Sequence, residues 1–205
     1  ILPHRQTNNW HGSRAFFTNQ PENNKEGTTN RANFNLSGPL AGEALTMRLY
    51  GNINKTEPDA WDINHAQNGS YAAGREGVRN KDINALLSWK MTPQQILDFS
   101  YAYSRQGNIY AGDTQYSNGN LSPNGLVDSL YGHETNRLYR QSWGLTYNGL
   151  WDWGQSKAGV YYEKTNNTRL QEGSTGRVEG MSNSDVYDTS RLESWRSTAE
   201  VNLPF

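Results

Sequence analysis

The 205-residue sequence predicts an all-β protein, an antiparallel transmembrane β-barrel segment of about eight strands. Three observations support this fold class. Apolar and polar residues alternate along segments of about ten residues, the length that a tilted strand needs to cross a bilayer. Short turns and long polar loops join these segments in regular alternation. The mean hydropathy is only −0.92, yet 12% of the residues are aromatic, a composition that argues against disorder.

The clearest hairpin lies between Glu43 and Met91. In Glu43–Asn54 every second residue from Leu45 onward is apolar or glycine, and the residues between them are mostly polar. The segment Lys81–Met91 repeats this pattern after a polar stretch over residues 55–80. Because successive side chains of a strand point to opposite faces, each strand has one apolar and one polar side. The pattern predicts a barrel hairpin with lipid on one face and water or a plug on the other.

The other strands follow from the same alternation. They are Trp10–Asn19, Thr28–Ser37, Gln95–Arg105, Thr135–Asn148, Gln155–Asn166 and Arg191–Pro204. Short turns are expected at Gly38–Gly42, Thr92–Gln94 and Gly149–Gly154. Short turns on one rim and long loops on the other are typical of outer-membrane barrels. Tryptophans near strand ends or in the short turns fit aromatic girdles at the membrane interfaces: Trp89, Trp143, Trp151, Trp153 and Trp195.

Two other architectures share this alternation. A soluble antiparallel sandwich or barrel, such as a carbohydrate-binding or hydrolytic β-protein, would gather the apolar residues in one dry interior. The residues that distinguish it are Leu45, Leu49, Ile83, Leu87, Phe99 and Leu145. A self-contained eight-stranded outer-membrane barrel with a structural or adhesive role is the second alternative, because eight strands suffice to close a small barrel.

Composition and motifs exclude several function classes. The net charge of −1 argues against a nucleic-acid partner, and the absence of cysteine excludes a disulfide scaffold and thiol chemistry. The sequence contains no nucleophile elbow, zinc-protease motif, P-loop or dinucleotide fingerprint. The four histidines have no metal-ligand spacing, and Asp59, Asp62 and Asp82 are too dispersed for a calcium loop. The sequence therefore predicts neither an enzyme nor a metal site.

Four stretches are more specific than the alternation. They are R-L-Y-G-N-I-N-K-T-E-P-D-A-W-D-I-N (Arg48–Asn64), A-G-R-E-G-V-R-N-K-D-I-N (Ala73–Asn84), S-R-Q-G-N-I-Y-A-G-D-T-Q (Ser104–Gln115) and H-E-T-N-R-L-Y-R-Q (His133–Gln141). In these stretches, and over nearly the whole chain, the sequence resembles TonB-dependent outer-membrane receptors for ferric catecholate siderophores, of the ferric enterobactin receptor type.

The resemblance implies an architecture and a function. That family has a plug domain inside a barrel of about 22 strands. Residues 1–205 look like the early part of such a barrel, without the plug, the TonB-contacting segment and the later strands. The implied function is TonB-dependent import of a ferric catecholate siderophore through the cell outer membrane, with membrane lipid around the barrel. No cofactor is implied, because the iron is carried within the siderophore.

The implied substrate also suggests site residues. A ferric tris-catecholate is a trianion with flat aromatic faces, and guanidinium groups and aromatic rings recognise such a ligand. The two central loops supply both kinds of side chain. We expect ligand contacts from arginines at the loop bases with tyrosines as ring partners: Arg105, Arg137, Arg140, Tyr110 and Tyr116, with Arg75 as a further candidate. The alternative for each arginine is an ion pair with a carboxylate of the wall or plug.

Overall fold

A computed structural model describes residues 9–60, 63, 74–111, 132–170 and 187–204. These residues form one antiparallel sheet of eight strands, and the all-β prediction is confirmed. The strands are β1 (His11–Asn19), β2 (Thr29–Ala41), β3 (Leu45–Thr56), β4 (Gly77–Thr92), β5 (Gln95–Ile109), β6 (Asn136–Trp151), β7 (Gly154–Leu170) and β8 (Tyr187–Asn202).

The sheet is an open meander in which each strand pairs with its neighbours in sequence. Within the described residues β1 pairs only with β2, and β8 pairs only with β7. The alternative of a self-contained eight-stranded barrel is therefore wrong for this sheet, because such a barrel requires β1 and β8 to pair and close the ring. No helix within the described part of the chain has the length and hydropathy to cross a membrane.

The strands extend further toward the long loops than the alternation predicts. β4 begins at Gly77 rather than Lys81, β5 ends at Ile109, and β7 ends at Leu170. Antiparallel pairing uses the backbone, so the ladder continues through Asn, Gly and Arg residues that carry no apolar signal. Strand number and order are thus predictable from the sequence, whereas the ends of the strands on the long-loop side are not.

Two predicted turns are too long. Instead of turning at Gly38, β2 continues to Ala41, with a register irregularity between Pro39 and Ala41 that tolerates a residue without an N–H group. The chain reverses at Gly42, whose φ of 56° lies in the left-handed region that favours glycine. The turn predicted at Gly149–Gly154 is reduced to Asp152 and Trp153, because Gly149 and Trp151 pair with β7. The turn at Thr92–Gln94 is confirmed, with the reversal at Pro93 and Gln94.

One face of the sheet, which we call the apolar face, carries rows of aliphatic and aromatic side chains. The register aligns two such rows directly across the strands: Leu36, Leu49, Ala85, Tyr101, Trp143, Tyr162 and Trp195, and next to them Met47, Leu87, Phe99, Leu145 and Val160. Nothing within the described residues covers this face, and Leu145 and Val160 are 44% and 48% exposed. The six residues that a soluble sandwich would bury lie together on it, and none is buried, so the sandwich alternative is wrong.

The opposite face, the polar face, carries amides, hydroxyls and charges such as Asn35, Arg48, Asn84, Glu163 and Arg196. The buried apolar residues of the described chain are Ile109, Tyr110 and Ala111, which lie at the base of the loop after β5. The fold is therefore a two-faced wall with a small protein core only at its long-loop rim.

Candidate functional site

Three arginines surround one carboxylate where β4, β5 and β6 approach the long loops. Glu134 contacts the Nε atoms of Arg79 at 3.7 Å and Arg137 at 3.0 Å, and it accepts a hydrogen bond from Nη2 of Arg105. The side chains of Glu134 and Arg105 are only 8% and 12% exposed. We call Arg79, Arg105, Arg137 and Glu134 the arginine cluster. It concentrates positive charge at the loop base, because one carboxylate faces three guanidinium groups.

The strand register explains how this cluster forms. Arg79 and Arg137 lie directly opposite Gly107 on either side of β5. Gly107 leaves room for the carboxylate, since a Cβ atom there would lie 3.2 Å from Oε1 of Glu134. Arg105 lies 5.8 Å from the ring centroid of Tyr139, and its Nη1 donates to the carbonyl oxygen of Arg79 at 3.4 Å. The guanidinium groups are thus held in place by strand pairing, a ring and a shared carboxylate.

The structure brings Arg105 and Arg137 together but separates Arg140 from them. Arg105 and Arg137 have the strand parity of Tyr101 and Trp143, so they lie on the apolar face, beyond its aliphatic band. Arg140 lies on the polar face opposite Ser104, and its Nε donates to Oε1 of Glu163 at 2.6 Å. The expectation that all three arginines face one vestibule does not agree with this register.

The other candidate on the same loop, Tyr110, is part of the small core. Tyr110 is 4% exposed, its backbone N–H donates to the carbonyl oxygen of His133 at 2.9 Å, and its own carbonyl accepts from Gly132 at 3.0 Å. Its ring therefore fills the base of the loop rather than an exposed ligand surface in this structure. Tyr116 lies outside the described residues, so its predicted ligand contact stays a prediction.

Arg75 belongs to a second contact between loops, organised by Asp59. The Asp59 carboxylate accepts hydrogen bonds from the backbone N–H groups of Gly27 at 2.9 Å and Arg75 at 2.7 Å. The guanidinium group of Arg75 reaches the carbonyl oxygen of Gly27 at 3.3 Å. Sequence reasoning missed this role of Asp59. An acidic residue after a proline is a turn signal, but its partners lie in distant loops and leave no local pattern.

The polar face also carries arginine–tyrosine pairs that the sequence analysis did not single out. Arg48 lies 4.7 Å from the ring centroid of Tyr50, and Arg196 lies 4.7 Å from that of Tyr161. The signal was available, because these residues share the polar strand parity. With Arg140 they give this face the guanidinium groups and rings that an anionic aromatic ligand requires. Within the described residues no group of acidic and histidine side chains is arranged to hold a metal ion.

Comparisons with known proteins place this geometry among outer-membrane receptors. No family model matches the chain. The ferric enterobactin receptor PirA of Pseudomonas aeruginosa is 50% identical over 208 residues, which cover 100% of this chain and 28% of that receptor. The chain thus spans little more than a quarter of the length of this curated relative.

Solved structures agree with the sequence similarity. The crystal structure of the siderophore receptor PirA from Acinetobacter baumannii matches with a TM-score of 0.82 and 51% identity, over 97% of this chain and 28% of that one. A mutant of the ferric enterobactin receptor PfeA from P. aeruginosa, solved in complex with enterobactin, matches with a TM-score of 0.80 and 45% identity. That match covers 97% of this chain and 29% of the receptor.

Proposed function

Because this chain belongs to the TonB-dependent siderophore receptors of the outer membrane, as a segment of their barrel, we propose that the protein imports ferric catecholates of the enterobactin type. One observation supports this most strongly. A sheet with one uncovered apolar face matches, over 97% of its length, a receptor solved with enterobactin. In this proposal residues 1–205 form one piece of the wall of a large plugged barrel, and the plug belongs to other parts of the receptor.

The two faces of the sheet then have different surroundings. The apolar face contacts membrane lipid, and the polar face lines the aqueous interior. The siderophore binds from the long-loop side, and the energised inner membrane acts through TonB on the plug to admit it. The process is transport and not an enzymatic reaction. The iron travels within its chelator, so the wall supplies no cofactor, and nucleic acid has no part in it.

Among the candidate residues, Arg140 is the direct ligand contact in this proposal. It lies on the polar face near the long-loop rim, and its guanidinium group is 59% exposed beside Glu163. Arg105 and Arg137 act on the opposite face, and Arg75 and Tyr110 hold the bases of the loops that surround the ligand. Tyr116, in the loop after β5, remains a proposed ring partner.

Tryptophan quenching of the full-length receptor by ferric enterobactin tests both levels of this proposal. Arg140→Ala should weaken binding about tenfold, because a hydrogen bond to a charged group contributes roughly 1.5 kcal/mol or more. Arg14→Ala is the matched control, since Arg14 is an exposed arginine with the parity of the apolar face. Unchanged affinity for Arg140→Ala would remove that residue from the site, and the absence of quenching in the unmodified receptor would overturn the function.

A further inference from the structure

We propose that Lys81 and the arginine cluster form a site on the lipid-facing side of the barrel for a phosphate-bearing lipid headgroup. This inference goes beyond siderophore import, because the site lies on the opposite face of the sheet from the proposed ligand contact. Three properties of the described residues support it: their depth relative to the apolar band, their excess of positive charge, and their exposure.

The depth follows from strand geometry. β5 starts at Gln95, directly after a short turn, and Arg105 lies ten residue steps further along the strand. At about 3.3 Å per residue and a tilt of about 40°, ten steps span about 25 Å, the height of the apolar band of an outer-membrane barrel. Leu97, Phe99, Tyr101 and Tyr103 precede Arg105 on the same face. Arg105 therefore lies where hydrocarbon ends and lipid headgroups begin.

The charge at this level is predominantly positive. Lys81 lies directly opposite Arg105, so Arg79, Lys81, Arg105 and Arg137 form one patch with a single carboxylate, Glu134. Lys55, the next cation along this face on β3, already pairs with Glu57 at 2.5 Å. Four cations with one anion leave an excess of positive charge that an anionic headgroup would compensate.

The same groups are accessible and suited to phosphate. The Arg79 side chain is 50% exposed, that of Arg137 is 34% exposed, and Lys81 is exposed. Guanidinium groups bind phosphate oxygens through paired N–H groups, and Glu134 already holds three of them close together. The patch thus has donors directed by the protein at a level where phosphate groups of the bilayer lie.

A lipid fits this patch better than a free anion because the cations adjoin exposed apolar surface. Ile83 is 37% exposed and lies two residues from Lys81 on the same face, next to Tyr103 on β5. Acyl chains have a surface to lie against there, while their headgroup reaches the arginines. An inorganic anion would make no use of the neighbouring apolar band.

Native mass spectrometry of the full-length receptor in a neutral detergent tests this site, with diphosphorylated lipid A as the probe. The Arg79→Gln, Lys81→Gln double variant should bind it about 25-fold more weakly, since each cation near a membrane surface contributes about 1 kcal/mol, a factor of about five. Lys90→Gln with Lys157→Gln is the matched control, because it removes two charges from the polar face near the short turns.

Each outcome decides the proposal. Wild-type binding in the double variant, equal loss in the control, or full displacement of lipid A by equimolar inorganic phosphate would overturn it. Should the double variant fail to fold, the wild-type receptor supplies the measurement. Added salt should then reduce its lipid A adducts but not its phosphatidylcholine adducts, because screening weakens contacts to a net charge. Salt-independent lipid A binding would also overturn the site.

Discussion

The wall of the sheet and the base of its loops are stabilised in opposite ways. On the wall, Leu145 and Val160 are 44% and 48% exposed, although each lies between two hydrogen-bonded strands. At the loop base, Ile109 and Ala111 are 2% and 0% exposed. The wall depends on lipid to cover its apolar side chains, whereas the loop base builds its own small core. The same chain thus uses two different apolar environments within a few residues of β5.

Polar groups differ between the two regions as well. At the loop base the Asp59 carboxylate connects the loop after β1 to the segment before β4 through backbone amides. On the wall, polar side chains pair across neighbouring strands, as in the hydrogen bond between Thr146 and Tyr161 at 3.2 Å. Contacts at the loop base therefore join distant segments, and contacts on the wall repeat along a ladder. Single substitutions should reveal this difference.

The largest expected effect is at Ile109. Ile109→Ala removes a fully buried side chain and should lower the local free energy of unfolding by about 3 kcal/mol, within the range for large-to-small core changes. Hydrogen exchange of the strand end before residue 111 in the full-length receptor measures it. Leu145→Ala on the wall is the control and should cost far less in detergent, because detergent fills the space. Equal losses at both positions would contradict the distinction between the two regions.

A smaller effect is expected at Asp59. Asp59→Ala leaves the N–H groups of Gly27 and Arg75 without their acceptor, at a cost of about 1–3 kcal/mol for a buried donor. Asp59→Asn keeps one acceptor oxygen and should lose about half as much. Protease cleavage in the loop over residues 57–76 measures the opening. The same cleavage rate in both variants and wild type would show that the carboxylate does not hold the loops.

The third effect concerns space at Gly27. A Cβ atom there would lie 1.7 Å from the carbonyl oxygen of Glu57, so Gly27→Ala must displace backbone and should cost about 1–3 kcal/mol. Gly12→Ala on β1 is the matched control, because its Cβ would lie 3.6 Å from Leu36, an ordinary contact. Thermal unfolding in detergent compares the two variants, and similar midpoints would mean that the loop base adapts freely.

The sequence predicted the wall well because its signal is local. A period of two identifies each strand and its apolar face, and the faces from Leu45 to Val201 follow that period. The loop base was not predictable, since Gly27 and Asp59 are 32 residues apart and their contact has no period.

The candidate site was predicted only in part. Chemistry identified Arg105 and Arg137 as paired with a purpose, but parity should have assigned them to the face of Tyr101 and not to the polar face. Arg140 agrees with both chemistry and parity. For Tyr110, a loop position suggested an exposed ring, and burial at the loop base could not be read from neighbouring residues.

One feature at the opposite rim complements the arginine cluster. Trp151 and Trp153 stack with centroids 6.1 Å apart and planes 4° from parallel, at the turn between β6 and β7, and Trp151 Nε1 donates to Ser156 at 2.7 Å. Indole rings favour the interfacial zone of a bilayer. With cations at one boundary and an indole pair at the other, the height of the barrel in the membrane is fixed from both sides. A force applied along the barrel axis would then meet resistance to vertical displacement of the wall.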